Sequence, residues 1–131
     1  MLNSAKSLLQ TIKEKLAPPP CVNGITLVKQ LDDHYVLVNP IDNVGYVLIL
    51  NKQVEPFMQK LIASLLRPGE VAIDIGANYG TVSFAMARAV APTGTVYAIE
   101  GSPPVSDLLG KSSKLNNYEN VIKNRNLAIV E

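Results

Sequence analysis

The stretch Val71–Gly80, VAIDIGANYG, constrains the fold of this chain more than any other part of it. Val71, Ile73 and Ile75 are apolar and β-branched at alternate positions, and Ala72 between them is also apolar. A near-continuous apolar run of this kind predicts a strand covered on both faces, as in a parallel α/β sheet. From Thr81 the period changes, and Val82, Ala85, Met86, Ala89 and Val90 follow the spacing of a helix that lays one face on that sheet. Gly76 and Gly80 bracket the turn between strand and helix, where the backbone must bend sharply and a ligand can come close.

In open α/β sheets ligands bind in the crevice beyond the carboxyl ends of the strands. A dinucleotide fingerprint would need glycine at the positions of Gly76, Asn78 and Thr81, and only the first is one. Asp74, just before the turn, also disfavours an anionic group there and suits a ligand with positive charge and hydrogen-bond donors. After the next turn, Ala91-Pro92-Thr93-Gly94, the run Thr95–Ile99 predicts a second strand that ends at Glu100. One βαβ unit separates the two acids, so both fall at carboxyl ends of neighbouring parallel strands. A lone acid at a strand end is ordinarily a solvated residue. Paired with Asp74, Glu100 suits a bidentate contact to two ribose hydroxyls, since a carboxylate offers two acceptor oxygens and no donor.

Asp74-Ile75-Gly76-Ala77-Asn78-Tyr79-Gly80 resembles motif I of class I S-adenosylmethionine-dependent methyltransferases, and its Ala-Asn version resembles the FkbM type. The likeness extends to Val54-Glu55-Pro56, Leu66–Glu70, Gly94–Glu100, Leu115-Asn116-Asn117 and Asn126-Leu127-Ala128, most of residues 44–131. It implies a Rossmann-like methyltransferase parallel sheet, here truncated after the third strand, and methyl transfer from S-adenosylmethionine to a hydroxyl of a small-molecule or glycan acceptor. By the same resemblance Gly76, Ala77, Asn78, Tyr79 and Gly80 wall the cofactor, Asp74 organises the turn amides and the methionine end, Glu100 holds the ribose, and Ser102 lies at the adenosine edge. The chain departs from the family at Glu100-Gly101-Ser102-Pro103, where relatives have Glu-Pro-Asn. A second reading is a non-catalytic or split cofactor-binding module that self-associates, or pairs with a partner, through the open edge of the motif I strand.

The rest of the chain divides into residues 1–20, an N-terminal helix and proline linker; 21–53, a small antiparallel β-meander; and 54–131, the partial cofactor domain. In the first, Leu8, Leu9, Ile12 and Leu16 share a helical face and Pro18-Pro19-Pro20 stops it. In the second, Ile25–Leu31, Tyr35–Asn39 and Gly45–Leu50 read as strands separated by turn-rich Asp32-Asp33 and Pro40–Asn43. In the third, Phe57, Met58, Leu61, Ile62, Leu65 and Leu66 form a helical stripe expected in the core, and Ser102 with Pro103 opens the last helix as N-cap and first residue.

Charge is spread evenly, with a formal net charge of +1 over 131 residues, which predicts neither nucleic acid nor an anionic membrane as partner. No apolar run reaches the length of a membrane span, and there is no long apolar leader, so a cytoplasmic location is expected. Cys21 is the only cysteine and His34 the only histidine; both read as structural, with His34 at the surface or in a turn, and no metal site is expected.

Overall fold

In a computed structural model, residues 21–129 are described. The expected N-terminal helix and proline linker lie outside them. Six strands and four helices follow in order: β1 (Cys21–Val22), β2 (Ile25–Lys29), β3 (Tyr35–Val38), α1 (Asn43–Asn51), α2 (Pro56–Leu65), β4 (Val71–Ile75), α3 (Thr81–Val90), β5 (Thr95–Glu100), α4 (Pro103–Leu115) and β6 (Ile122–Asn126).

The strands form two sheets. β1, β2 and β3 make an antiparallel meander, with Thr26 opposite Val38 and Lys29 opposite Tyr35. β4, β5 and β6 make a parallel sheet in that order, with Val71 beside Thr95, Ile75 beside Ile99, and Val96 beside Ile122. This is the α/β class expected, parallel sheet and antiparallel meander included.

The meander is not built from the segments expected. Gly45–Leu50 is helical, and the third strand is the short β1 instead. Val44, Val47 and Ile49 favour a strand by type, but local capping and burial decide otherwise. The Asp42 carboxylate accepts from the Val44 and Gly45 backbone N–H groups at 2.8 and 3.1 Å, which starts α1. Leu48 is then fully buried on its inner face. Gly45 is needed there, because a Cβ would collide with the Asn39 carbonyl oxygen. Lys52, in the left-handed region at φ 55°, closes the helix with its N–H on Leu48.

The helices of the parallel sheet all lie on one face. Register puts Ala72, Asp74, Val96, Ala98, Ile122 and Asn124 on that face, under α3 and α4. Phe84, Met86, Ala87 and Val90 of α3 and Leu108 and Leu109 of α4 complete the core above it. α3 covers β4 and β5, α4 covers β5 and β6, and α2 packs against α3.

The opposite face is open among the described residues. Val71, Ile73 and Ile75 are exposed there, Ile73 at 60%, so β4 is not covered on both faces as its composition predicts. The α2 stripe is corrected likewise. Ile62 and Leu66 pack against the core, while Phe57, Met58, Leu61 and Leu65 are exposed and the polar Gln59 is buried, its amide donating to the Val54 carbonyl at 2.5 Å. No described residue lies over the outer part of that stripe.

The small sheet is fastened to the helix layer through α4. Asn116 bonds both backbone groups of Tyr35, accepting from its N–H at 2.8 Å and donating to its carbonyl at 2.7 Å, and Ser112 Oγ accepts from the Leu37 N–H at 2.9 Å. His34 is not at the surface: it is 4% exposed, its ring tilted against Phe84 and edge-on to Tyr118, with Nδ1 2.8 Å from Asp32. Arg88 of α3 donates to the Asp32 carbonyl and lies beside the same carboxylate. Burial pushes the Asp32 carboxyl up, but its bonds and charge contacts with His34 and Arg88 outweigh that and hold it below the ordinary range.

Candidate functional site

The two acids singled out by sequence end adjoining strands. Asp74 pairs in register with Ala98, so Glu100 stands beyond the end of β4, level with the turn. That turn is Gly76–Gly80, and its first three amides all point at the end of β5. The Gly76 and Ala77 N–H groups both donate to the Ile99 carbonyl at 2.9 Å, and the Asn78 N–H donates to Glu100 Oε2 at 2.8 Å. Consecutive free amides would form an anion-binding nest. Here they are engaged, which gives a structural reason, beside the missing glycines, why the turn does not present itself to a pyrophosphate.

Glu100 uses its second oxygen as well, Oε1 accepting from the Ser102 N–H at 2.7 Å. The carboxylate thus fixes the turn on one side and the start of α4 on the other. Each oxygen has further acceptor capacity, so the group can still receive hydroxyl donors. Ser102 occupies the N-cap position of α4 as expected, but its hydroxyl makes no capping bond.

Asp74 does not organise the turn amides; Ile99 and Glu100 do that. Its Oδ2 accepts from the Ser83 hydroxyl at 2.5 Å. Burial pushes its pKa up, Ser83 opposes this, and the Glu100 charge adds to the rise. Sequence reading missed Ser83. The available signal was a hydroxyl on an otherwise apolar helix face, one turn after the motif.

The five turn residues divide by where they face. Gly76 is exposed, at φ 76°, and nothing lies within 4 Å of where a Cβ would be. Asn78, half-buried at φ 50°, caps the Tyr79 N–H with its own side chain at 2.8 Å. Ala77, Tyr79 and Gly80 are buried. Tyr79 is 1% exposed, and its hydroxyl accepts from the Asn39 N–H at 3.3 Å, across to the small sheet. A Cβ on Gly80 would meet Leu109 at 3.1 Å and Phe84 at 3.3 Å. Any wall these three offer a ligand is therefore backbone, because the Tyr79 side chain is committed to the core.

No protein-family model matches the sequence, and a search of curated proteins finds no match. Solved structures do match. Trm5 of Methanocaldococcus jannaschii in complex with adenosine superposes with a TM-score of 0.58 at 24% identity, over 78% of this chain and 29% of that one. TYW2 of Pyrococcus horikoshii in complex with MeSAdo gives 0.61 at 19% identity, over 81% and 37%. The complex of aTrm5 with tRNALeu gives 0.59 at 23% identity, over 79% and 28%.

The fold is that of Rossmann-like methyltransferases. This methyltransferase fold extends over roughly four-fifths of the chain, which in turn spans about a third of the length of those proteins. The tRNA complex overturns the expectation that nucleic acid is excluded as a partner. An even overall charge balance tests for a strongly basic surface; it does not test a nucleic-acid interface carried by a few residues or by parts of a protein outside the compared segment. Among the described residues no helix is long and apolar enough to cross a membrane, and no cluster of three metal-ligating side chains occurs.

Proposed function

We propose that the chain binds S-adenosylmethionine at the carboxyl ends of β4 and β5 and is the cofactor-binding part of a methyltransferase. The observation that carries this is the pairing of Asp74 and Glu100 beside an exposed, unobstructed Gly76, in a turn whose amides are already engaged. Such a crevice is rich in acceptors and poor in free donors. It fits a ribose diol and an ammonium group, the two donor-bearing ends of this cofactor, and repels a phosphate.

In this reading Glu100 receives the ribose hydroxyls on the lone pairs that Asn78 and Ser102 leave free. Asp74 faces the methionine end, and Gly76 admits the ligand to backbone contact. Ser102, with no capping bond, offers its hydroxyl at the adenosine edge. Bound there, S-adenosylmethionine supplies a methyl group already activated on a sulfonium, so the protein's contribution is to position it and keep water away. The Ala-Asn form of the motif supports an FkbM-type enzyme with a hydroxyl oxygen of a small molecule or glycan as acceptor. The likeness to a tRNA-bound protein favours a second reading, an RNA acceptor.

Isothermal titration with S-adenosylmethionine tests the site. The wild-type chain binds saturably, and the Asp74→Ala, Glu100→Ala variant binds on the order of a hundred-fold more weakly, about 3 kcal/mol for two charged acceptors. Because Glu100 also holds the turn, Glu100→Gln is run beside it, with circular dichroism as the folding control. A folded wild-type chain that does not bind overturns the proposal. Transfer of labelled methyl to tRNA or to a glycan then separates the two acceptors.

A further inference from the structure

Ser83 lies in the first turn of α3 and is fully buried there. A serine inside a helix can turn its hydroxyl onto the carbonyl of the preceding turn, as Ser112 does on Leu108 at 2.7 Å. The Ser83 hydroxyl instead leaves its helix and donates to Asp74 Oδ2 of β4 at 2.5 Å. Among the described residues no hydrogen bond reaches the other oxygen, Oδ1. Asp74 is half-buried, so that oxygen is not sealed in the core.

Packing alone does not call for this pair. Ala72 and Ala98 share the face of Asp74, and Phe84, Ala85, Met86 and Ala87 follow Ser83 as buried apolar residues. Two apolar side chains of the same shape would fill such a place at little or no cost in stability. What the hydroxyl does is chemical. Burial pushes the Asp74 carboxyl toward its neutral form, and hydrogen bonding from Ser83 opposes that. The charged group beside Asp74 is Glu100 at the end of β5, which works in the same direction as burial.

From this we infer that Ser83 is a positioning residue for the candidate site: by claiming Oδ2 it makes Asp74 a single-oxygen acceptor, the form that suits an ammonium group. An ammonium is a compact charge whose three donors each take one oxygen, from separate directions. A diol presents two donors side by side and is better met by two oxygens of one carboxylate. Glu100 retains that form, since Oε1 and Oε2 each accept one backbone N–H and keep further capacity. The diol therefore falls to Glu100 and the ammonium to Asp74, which sets the direction in which the ligand lies. This role rests on the cofactor reading of the crevice given above.

Calorimetric titration of the full chain with S-adenosylmethionine, and with adenosine, which lacks the ammonium, tests it. Ser83→Ala should bind S-adenosylmethionine about ten-fold more weakly at neutral pH and adenosine as the wild type does. Ser83→Thr, which keeps the hydroxyl, should restore most of the loss. Ser83→Cys, close in size but a weak donor, should lie between. The Asp74 carboxyl carbon, followed by NMR without ligand, should titrate at higher pH in Ser83→Ala than in the wild type. Binding of S-adenosylmethionine to Ser83→Ala should then fail at higher pH on acidification, within about pH 4–7, where the ligand's amino group stays charged. Circular dichroism checks the fold of each variant. Equal loss of both ligands in Ser83→Ala, loss of neither, or an unmoved Asp74 titration overturns the role of Ser83 and leaves the cofactor reading standing. A folded wild-type chain that binds neither ligand overturns the cofactor reading and this role with it.

Discussion

Burial raises the Asp74 pKa above the ordinary carboxylate value, against the Ser83 hydrogen bond that lowers it and with a smaller push from the Glu100 charge. A carboxyl whose pKa is raised by folding makes the folded state less stable once it ionises, so the penalty is absent at acid pH and grows as pH rises through the carboxylate range. Asp74→Asn is therefore expected to raise the thermal unfolding midpoint at neutral pH. The gain should shrink away below about pH 3.5, where the carboxyl is protonated in both states. In the proposed reading the same variant weakens cofactor binding, so stability and binding move in opposite directions. The two turn glycines separate in a comparable way. Gly76→Ala meets no neighbour, and is expected to cost only the left-handed backbone penalty of about 1 kcal/mol while obstructing the ligand's approach. Gly80→Ala meets Leu109 and Phe84 as well, and should cost about 2–4 kcal/mol in denaturant melts. Motif spacing marks both as turn glycines; that one serves a crevice and the other a core is decided by residues distant in sequence.

At the scale of elements, β4, α3, β5 and α4 were legible because period, turn residues and acid placement agree along each of them. α1 was not. Val44, Val47 and Ile49 are strand formers by type, and what makes them helical is Asp42 as cap, Leu48 filling the core, and the lack of room for a side chain at position 45. Asp42→Ala is expected to cost about 1 kcal/mol, read as a lower denaturation midpoint with early loss of helical signal. The opposite error occurred at α2. Its stripe predicts burial of six apolar residues, yet periodicity reports only that a face is apolar and not what covers it. Phe57 is 76% exposed for that reason.

Across the whole molecule, two sheets without a shared strand are joined by side chains. Asp32, His34 and Arg88 tie the small sheet to α3, and Asn116 and Ser112 tie it to α4. His34 could not be placed from sequence because its partner Arg88 is remote along the chain. Since folding lowers the Asp32 pKa, its contribution is present above the ordinary carboxylate range and is lost as pH falls through it. Asp32→Asn should therefore destabilise the chain at neutral pH and matter little in acid, as measured by thermal melts at the two conditions. Tyr79→Phe, which strands the Asn39 N–H, is expected to cost about 1–2 kcal/mol. That bond also runs from the turn of the candidate site to Asn39, the first residue after β3. A ligand that steadies the turn slows every opening in which Tyr79 leaves its place. The Asn39 amide would then exchange with solvent more slowly, so a single proton at the end of β3 becomes a gauge of occupancy at the turn that Tyr79 belongs to.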